Sequence, residues 1–109
     1  MDGKLVRDKI PSRIREDGRN PVLRILQPDE YFVRLKRKLT EEVDEFLEVP
    51  TSEELVDILE VVFAIGACMG EDSESLERLR VAKAHSHGTF KNRILWLGNA
   101  FSDSQRQSN

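Results

Sequence analysis

Residues 38–57 constrain the fold most, because they place two acidic pairs on either side of one proline. Pro50 cannot continue a helix, and the Thr-Ser pair that follows it is typical of a helix start. The sequence therefore predicts one helix over residues 29–49 and a second over residues 52–69. Such a short connection makes the two helices double back as an antiparallel hairpin.

Each predicted helix carries an apolar stripe at the spacing of a buried helix face. The stripe of the first helix consists of Phe32, Leu35, Leu39, Val43 and Phe46. The stripe of the second consists of Leu55, Ile58, Val62, Ile65 and Met69. Burying the stripes together gives an all-α fold, a small helical bundle built on the hairpin, with short irregular or extended segments at both ends of the chain.

The rest of the chain adds smaller elements to the hairpin. A short helix is expected to begin near Pro11, and a further helix is expected over residues 73–85. Residues 21–27 are predicted to be an extended segment or a short strand. Gly66 suits a point where another helix approaches closely. One domain is expected over residues 1–101, and the polar residues 102–109 are expected to form a disordered tail.

Four acidic side chains flank the two stripes and come level when the helices double back. They are Glu42, Glu45, Glu54 and Asp57. Helix axes about 8 to 10 Å apart would bring these carboxylates into one gap. Each close pair would then repel by roughly 4 kcal/mol at an effective dielectric constant near 20. A divalent cation removes this repulsion, and oxygen ligands without a nearby His or Cys favour Mg²⁺ or Mn²⁺.

Two residues of this stretch have an alternative structural role. Lys38 precedes Glu42 by one helical turn, so its ammonium group can pair with that carboxylate instead of binding a phosphate. Thr51 to Glu54 also match a capping box, in which the Glu54 carboxylate bonds back to the Thr51 amide. The sequence leaves both alternatives open.

Composition limits the classes of partner. The chain of 109 residues has a net charge of −3 and no evident basic face, which argues against a nucleic-acid polymer but allows a small phosphorylated ligand. Cys68 is the only cysteine, so an internal disulfide is impossible and a cytoplasmic location is expected. The apolar run over residues 61–69 is too short to span a bilayer, and no membrane partner is expected. A chain of this size would gain stability by forming a homodimer.

Two motifs resemble a known superfamily. Glu42-x-x-Glu45 followed by Glu54-x-x-Asp57 resembles the paired acidic motif of the MazG-like all-α nucleotide pyrophosphohydrolases. The sequence Lys-Leu-Val-Arg-Asp-Lys-Ile-Pro at residues 4–11 is similar to the opening of its phosphoribosyl-ATP pyrophosphohydrolase-like branch. The resemblance implies a dimeric, Mg²⁺-dependent hydrolase that splits a nucleoside triphosphate, or a related nucleotide, into monophosphate and pyrophosphate. A house-cleaning role against non-standard nucleotides is one form of that activity.

The resemblance also implies roles for individual residues. The four acids would be the metal ligands, and Glu42, Glu45 and Lys38 would act in catalysis. The residues expected to bind the substrate are Lys4, Arg7, Lys9, Lys38, Lys83, Lys91 and Arg93.

Two rival functions are compatible with the same residues. Hydrolysis of phosphoribosyl-ATP is one, because the acidic motif engages the triphosphate and not the base. A non-catalytic helical interaction module is the other, because Glu and Lys are good helix formers and an acidic pair at this spacing is often a solvated face.

Overall fold

The helical hairpin is present and is the central feature of the fold. A computed structural model of the protein describes residues 3–101. The four helices of this part are α1 (Ile10–Glu16), α2 (Pro28–Glu48), α3 (Ser52–Cys68) and α4 (Ser73–His87). Residues 3–101 contain no β-strand, so the all-α prediction is confirmed and the alternative of a strand at residues 21–27 is wrong.

The turn between α2 and α3 forms as the sequence predicts. Val49 has an extended backbone, with φ −136° and ψ 94°, which is the conformation favoured immediately before a proline. The Thr51 hydroxyl then caps α3 by accepting a hydrogen bond from the Glu54 amide over 3.1 Å. Pro50 lies between Val49 and Thr51 and separates the two helices. The chain reverses there, and α2 and α3 pack against each other.

The buried face of α3 differs from the predicted stripe. Leu35 of α2 and Val61 of α3 are the most buried apolar residues in the described part of the chain. Leu55 and Met69, which the stripe places inward, are 49% and 66% exposed. Because α3 is apolar on most of its sides, its sequence pattern does not determine which side faces α2.

The end of α3 is closed by a glycine-dependent motif. Gly70 adopts φ 82°, its amide donates to the Ala67 carbonyl, and the Glu71 amide donates to the Gly66 carbonyl over 2.8 Å. This Schellman motif turns the chain into α4, whose first turn is capped by the Asp72 carboxylate. Leu76 of α4 packs directly over Gly66, which confirms the close approach predicted there.

The chain divides into two compact units, residues 1–79 and 80–109, with the boundary inside α4. The first unit contains α1 to α3 and the start of α4. The second unit is described to residue 101 and contains the end of α4, which extends two residues beyond its predicted end. The organisation as one domain stays a prediction, and the predicted tail at residues 102–109 lies outside the described residues.

Helices long and apolar enough to cross a membrane are absent from residues 3–101.

Candidate metal centre

Three of the four predicted acids meet at the turn end of the hairpin. Glu42 of α2 and both Glu54 and Asp57 of α3 each present a carboxylate oxygen, and these oxygens all lie within 4.8 Å of one another. The helical spacing of the two α3 acids puts them on one edge of that helix. We call Glu42, Glu54 and Asp57 the carboxylate cluster.

Glu42 is the most buried member of the cluster. It is only 6% exposed, a value typical of core residues and unusual for a glutamate. Its Oε1 lies 3.3 Å from Lys38 Nζ, whereas its Oε2 is buried and accepts no hydrogen bond from the described residues. Lys38 therefore adopts the ion-pair role that the sequence left open, and it balances one oxygen of Glu42 while the other lacks a donor.

Glu54 completes only half of the predicted capping box. Its amide bonds to the Thr51 hydroxyl, but no hydrogen bond joins its carboxylate to the Thr51 amide within the described part of the chain. Its Oε2 is instead buried without a donor. Burial raises the pKa of the Glu54 carboxyl, and the negative charges of Glu45 and Glu42 raise that pKa further. The Glu54 side chain thus faces the other carboxylates at the expense of its capping role.

Glu45 lies at the margin of this arrangement. It is exposed and lies outside the group of mutually close oxygens, yet it is near enough to Glu54 to contribute to the raised pKa of that residue. The structure therefore brings together three of the predicted ligands closely and leaves the fourth beside them.

Arg7 joins the cluster from the N-terminal segment. Its Nη2 donates to Asp57 Oδ1 over 2.7 Å, and its Nη1 lies 3.9 Å from Glu60 Oε1. The sequence predicted that Arg7 binds the substrate. It did not predict the ion pairs of Arg7 with Asp57 and Glu60. Glu60 follows Asp57 by nearly one turn of α3, and that spacing was the available signal.

The other predicted substrate-binding residues are exposed. Lys4 lies in the segment before α1, and Lys9 immediately precedes that helix. Lys83, Lys91 and Arg93 belong to the second unit, where Arg93 has a left-handed backbone with φ 57°. The role of these residues in substrate binding stays a prediction.

The carboxylate cluster suits a hard divalent cation. All of its donor atoms are oxygens, and two of them are buried without any hydrogen-bond donor, which is an unfavourable state for a carboxylate. Mg²⁺ and Mn²⁺ prefer such oxygen ligands. A cation of this class would satisfy both unpaired oxygens at once.

Comparison with known proteins gives a partial relative. A 42-residue stretch is 57% identical to an uncharacterized protein of Mycolicibacterium smegmatis, and it covers 38% of this chain and 43% of that protein. The chain thus spans less than half the length of the curated relative it matches. No family model matches the chain. No solved structure matches it either.

Proposed function

We propose that the protein is a Mg²⁺-dependent nucleotide pyrophosphohydrolase that converts a nucleoside triphosphate, or a related nucleotide, into monophosphate and pyrophosphate. The observation that carries the proposal is the pair of buried oxygens, Glu42 Oε2 and Glu54 Oε2, which have no donor. A helix surface that served only solubility would expose such groups to water. Glu42, Glu54 and Asp57 would hold the cation, and Mn²⁺ would serve as a substitute for Mg²⁺.

The bound cation would neutralise phosphate charge and lower the pKa of a water ligand. The chain's own residues provide the remaining functions. Glu45 is exposed beside the cluster, so its carboxylate is accessible to orient a water molecule against the substrate. Lys38 forms an ion pair with Glu42, and it would contribute to catalysis by holding that ligand in place. Lys4 and Lys9 are exposed cations on the first unit that suit the outer phosphates.

The active form is proposed to be a homodimer in the cytoplasm. Outward-facing apolar side chains remain on α3, including Leu55 at 49%, Val56 at 55% and Leu59 at 51% exposure. Several exposed apolar side chains within about one helical turn are compatible with a protein interface. A second copy of the chain would cover it and would compensate for the small number of buried apolar residues.

The test is to measure pyrophosphate release from a panel of nucleoside triphosphates and phosphoribosyl-ATP with Mg²⁺. We expect release by the unaltered chain and by the control variant Glu30→Gln, and none by Glu42→Gln. Glu30 is an acid of the same helix that is paired with Arg24 and lies outside the cluster. Strong preference for phosphoribosyl-ATP would identify the biosynthetic rival. Absence of release from every nucleotide, together with absence of Mg²⁺ binding, would favour the interaction module.

A further inference from the structure

Arg7 binds a carboxylate that a metal ion in the cluster would also bind. Its guanidinium donates to Asp57 Oδ1 over 2.7 Å, which is a short, charge-assisted hydrogen bond to a member of the carboxylate cluster. A divalent cation bound to the same carboxylate would lie next to the Arg7 charge and would repel it. The ion pair and the bound cation therefore oppose each other.

The surroundings of Arg7 provide an alternative partner. Glu60 Oε1 lies 3.9 Å from Arg7 Nη1, and Glu60 is outside the group of mutually close carboxylates. The Arg7 side chain is 52% exposed and the Glu60 side chain is 58% exposed, so a small rotation of Arg7 meets little steric resistance. Arg7 can thus leave Asp57 and keep an ion pair one helical turn away.

We infer that Arg7 is the internal counter-ion of the carboxylate cluster in the metal-free protein, and that it moves from Asp57 to Glu60 when a divalent cation binds. Arg7 then competes with the cation for Asp57 and lowers the affinity of the site for that cation. This inference rests on the proposed function, because it requires a cation site at Glu42, Glu54 and Asp57.

The charges near the site support such a function for Arg7. Lys38 already balances Glu42 from within α2, whereas Asp57 receives its only described hydrogen bond from Arg7. Arg7 and Asp57 lie 50 residues apart in sequence, so the contact also fixes the N-terminal segment against α3. Metal binding would therefore shift this attachment along α3 from Asp57 to Glu60.

The inference is tested by titrating Mg²⁺ into Arg7→Gln by isothermal calorimetry without nucleotide. The matched control is Arg24→Gln, which removes the same charge from an exposed ion pair. Arg24 donates two hydrogen bonds to Glu30, of 3.0 and 2.9 Å, and neither residue belongs to the carboxylate cluster. We expect Arg7→Gln to bind Mg²⁺ about threefold to tenfold more tightly than the unaltered chain. Arg24→Gln should leave the affinity unchanged.

A second variant tests the role of Glu60. Glu60→Gln should weaken Mg²⁺ binding, because Arg7 then loses its alternative partner. In the Arg7→Gln background, Glu60→Gln should weaken Mg²⁺ binding less, because there is no guanidinium that needs Glu60 as a second partner. An equal effect of Glu60→Gln in both backgrounds would overturn the proposed movement.

The outcomes separate this inference from the proposed function. If the unaltered chain binds Mg²⁺ but Arg7→Gln binds it equally or more weakly, Arg7 does not compete with the cation and the inference is wrong. If the unaltered chain and Arg7→Gln both fail to bind Mg²⁺ or Mn²⁺, the metal site itself is wrong and the proposed function fails with it.

Discussion

The two ends of the α2–α3 hairpin differ in how well their polar groups are paired and how closely their side chains pack. At the turn end, Glu42 and Glu54 bury carboxylate oxygens that no donor satisfies. At the far end, Glu30 receives two hydrogen bonds from Arg24, and Gly66 packs under Leu76. Because the far end has satisfied, close contacts and the turn end has unsatisfied charge, we assign fold stability to the far end and propose the turn end as the functional site.

The largest effect is expected when the turn end loses a charge. Glu42→Gln or Asp57→Asn should lower pyrophosphohydrolase turnover by at least about a thousandfold, because the cation would lose an anionic ligand. Helix content, measured by circular dichroism, should stay nearly unchanged in both variants.

Glu30→Gln is the control at the far end, since it makes the same chemical change in an acid with its own partner. It should retain turnover. Full activity in Glu42→Gln would remove the functional distinction between the two ends.

The next effect is stabilisation of the folded chain by Mg²⁺. At roughly 100 times its Kd, a cation that binds only the folded state adds about 2.7 kcal/mol to the free energy of unfolding. For a domain of this size the melting temperature should rise by about 10 °C or more. Differential scanning fluorimetry should show the rise in Glu30→Gln and lose it in Glu42→Gln. An equal rise in both variants would place the binding elsewhere.

A smaller effect on stability is expected when a side chain is added at Gly66, where α3 and α4 approach closely at the far end. A Cβ at Gly66 would lie 2.6 Å from Leu76 Cδ1 and 2.9 Å from the Glu71 carbonyl oxygen, and the second of these atoms is backbone. Gly66→Ala should therefore reduce the free energy of unfolding by about 1 to 3 kcal/mol in urea denaturation. Its Mg²⁺ affinity should not change, and a large loss of affinity would show that the two ends are coupled.

The smallest effect concerns the pH dependence of the metal-free protein. Because the pKa of Glu54 is raised in the folded state, its ionisation at neutral pH destabilises the fold, and protonation removes that penalty. Glu54→Gln should raise the melting temperature at neutral pH without metal. The difference from the unaltered chain should shrink as the pH falls through the raised pKa, and should vanish below the ordinary pKa of a glutamate. A difference that grew on acidification would contradict the raised pKa.

The hairpin was predictable because its signals are local. Pro50 ends one helix, and Thr51 supplies a cap for the next, so each boundary follows from residues within one turn of it. The spacing of Glu42 on α2 and of Glu54 and Asp57 on α3 likewise placed the acids level with one another.

The rest depended on contacts between distant residues. The inward face of α3 is centred on Val61 and not on the predicted stripe, because a helix that is apolar all round does not specify its own orientation. Whether the Glu54 carboxylate capped α3 or faced the cluster depended on the position of α2. The Arg7–Asp57 contact joins residues far apart in the chain, so the spacing of Asp57 and Glu60 shows that the two acids share a face but not that Arg7 reaches them.

The most direct measurement is a calorimetric titration of Mg²⁺ into the metal-free chain, with Glu42→Gln and Glu30→Gln titrated alongside. If the carboxylate cluster is a metal centre, the unaltered chain and Glu30→Gln will show the same saturable binding and Glu42→Gln will show little or none. Absence of saturable binding by the unaltered chain, or equal binding by all three proteins, would contradict a metal centre at the turn end of the hairpin.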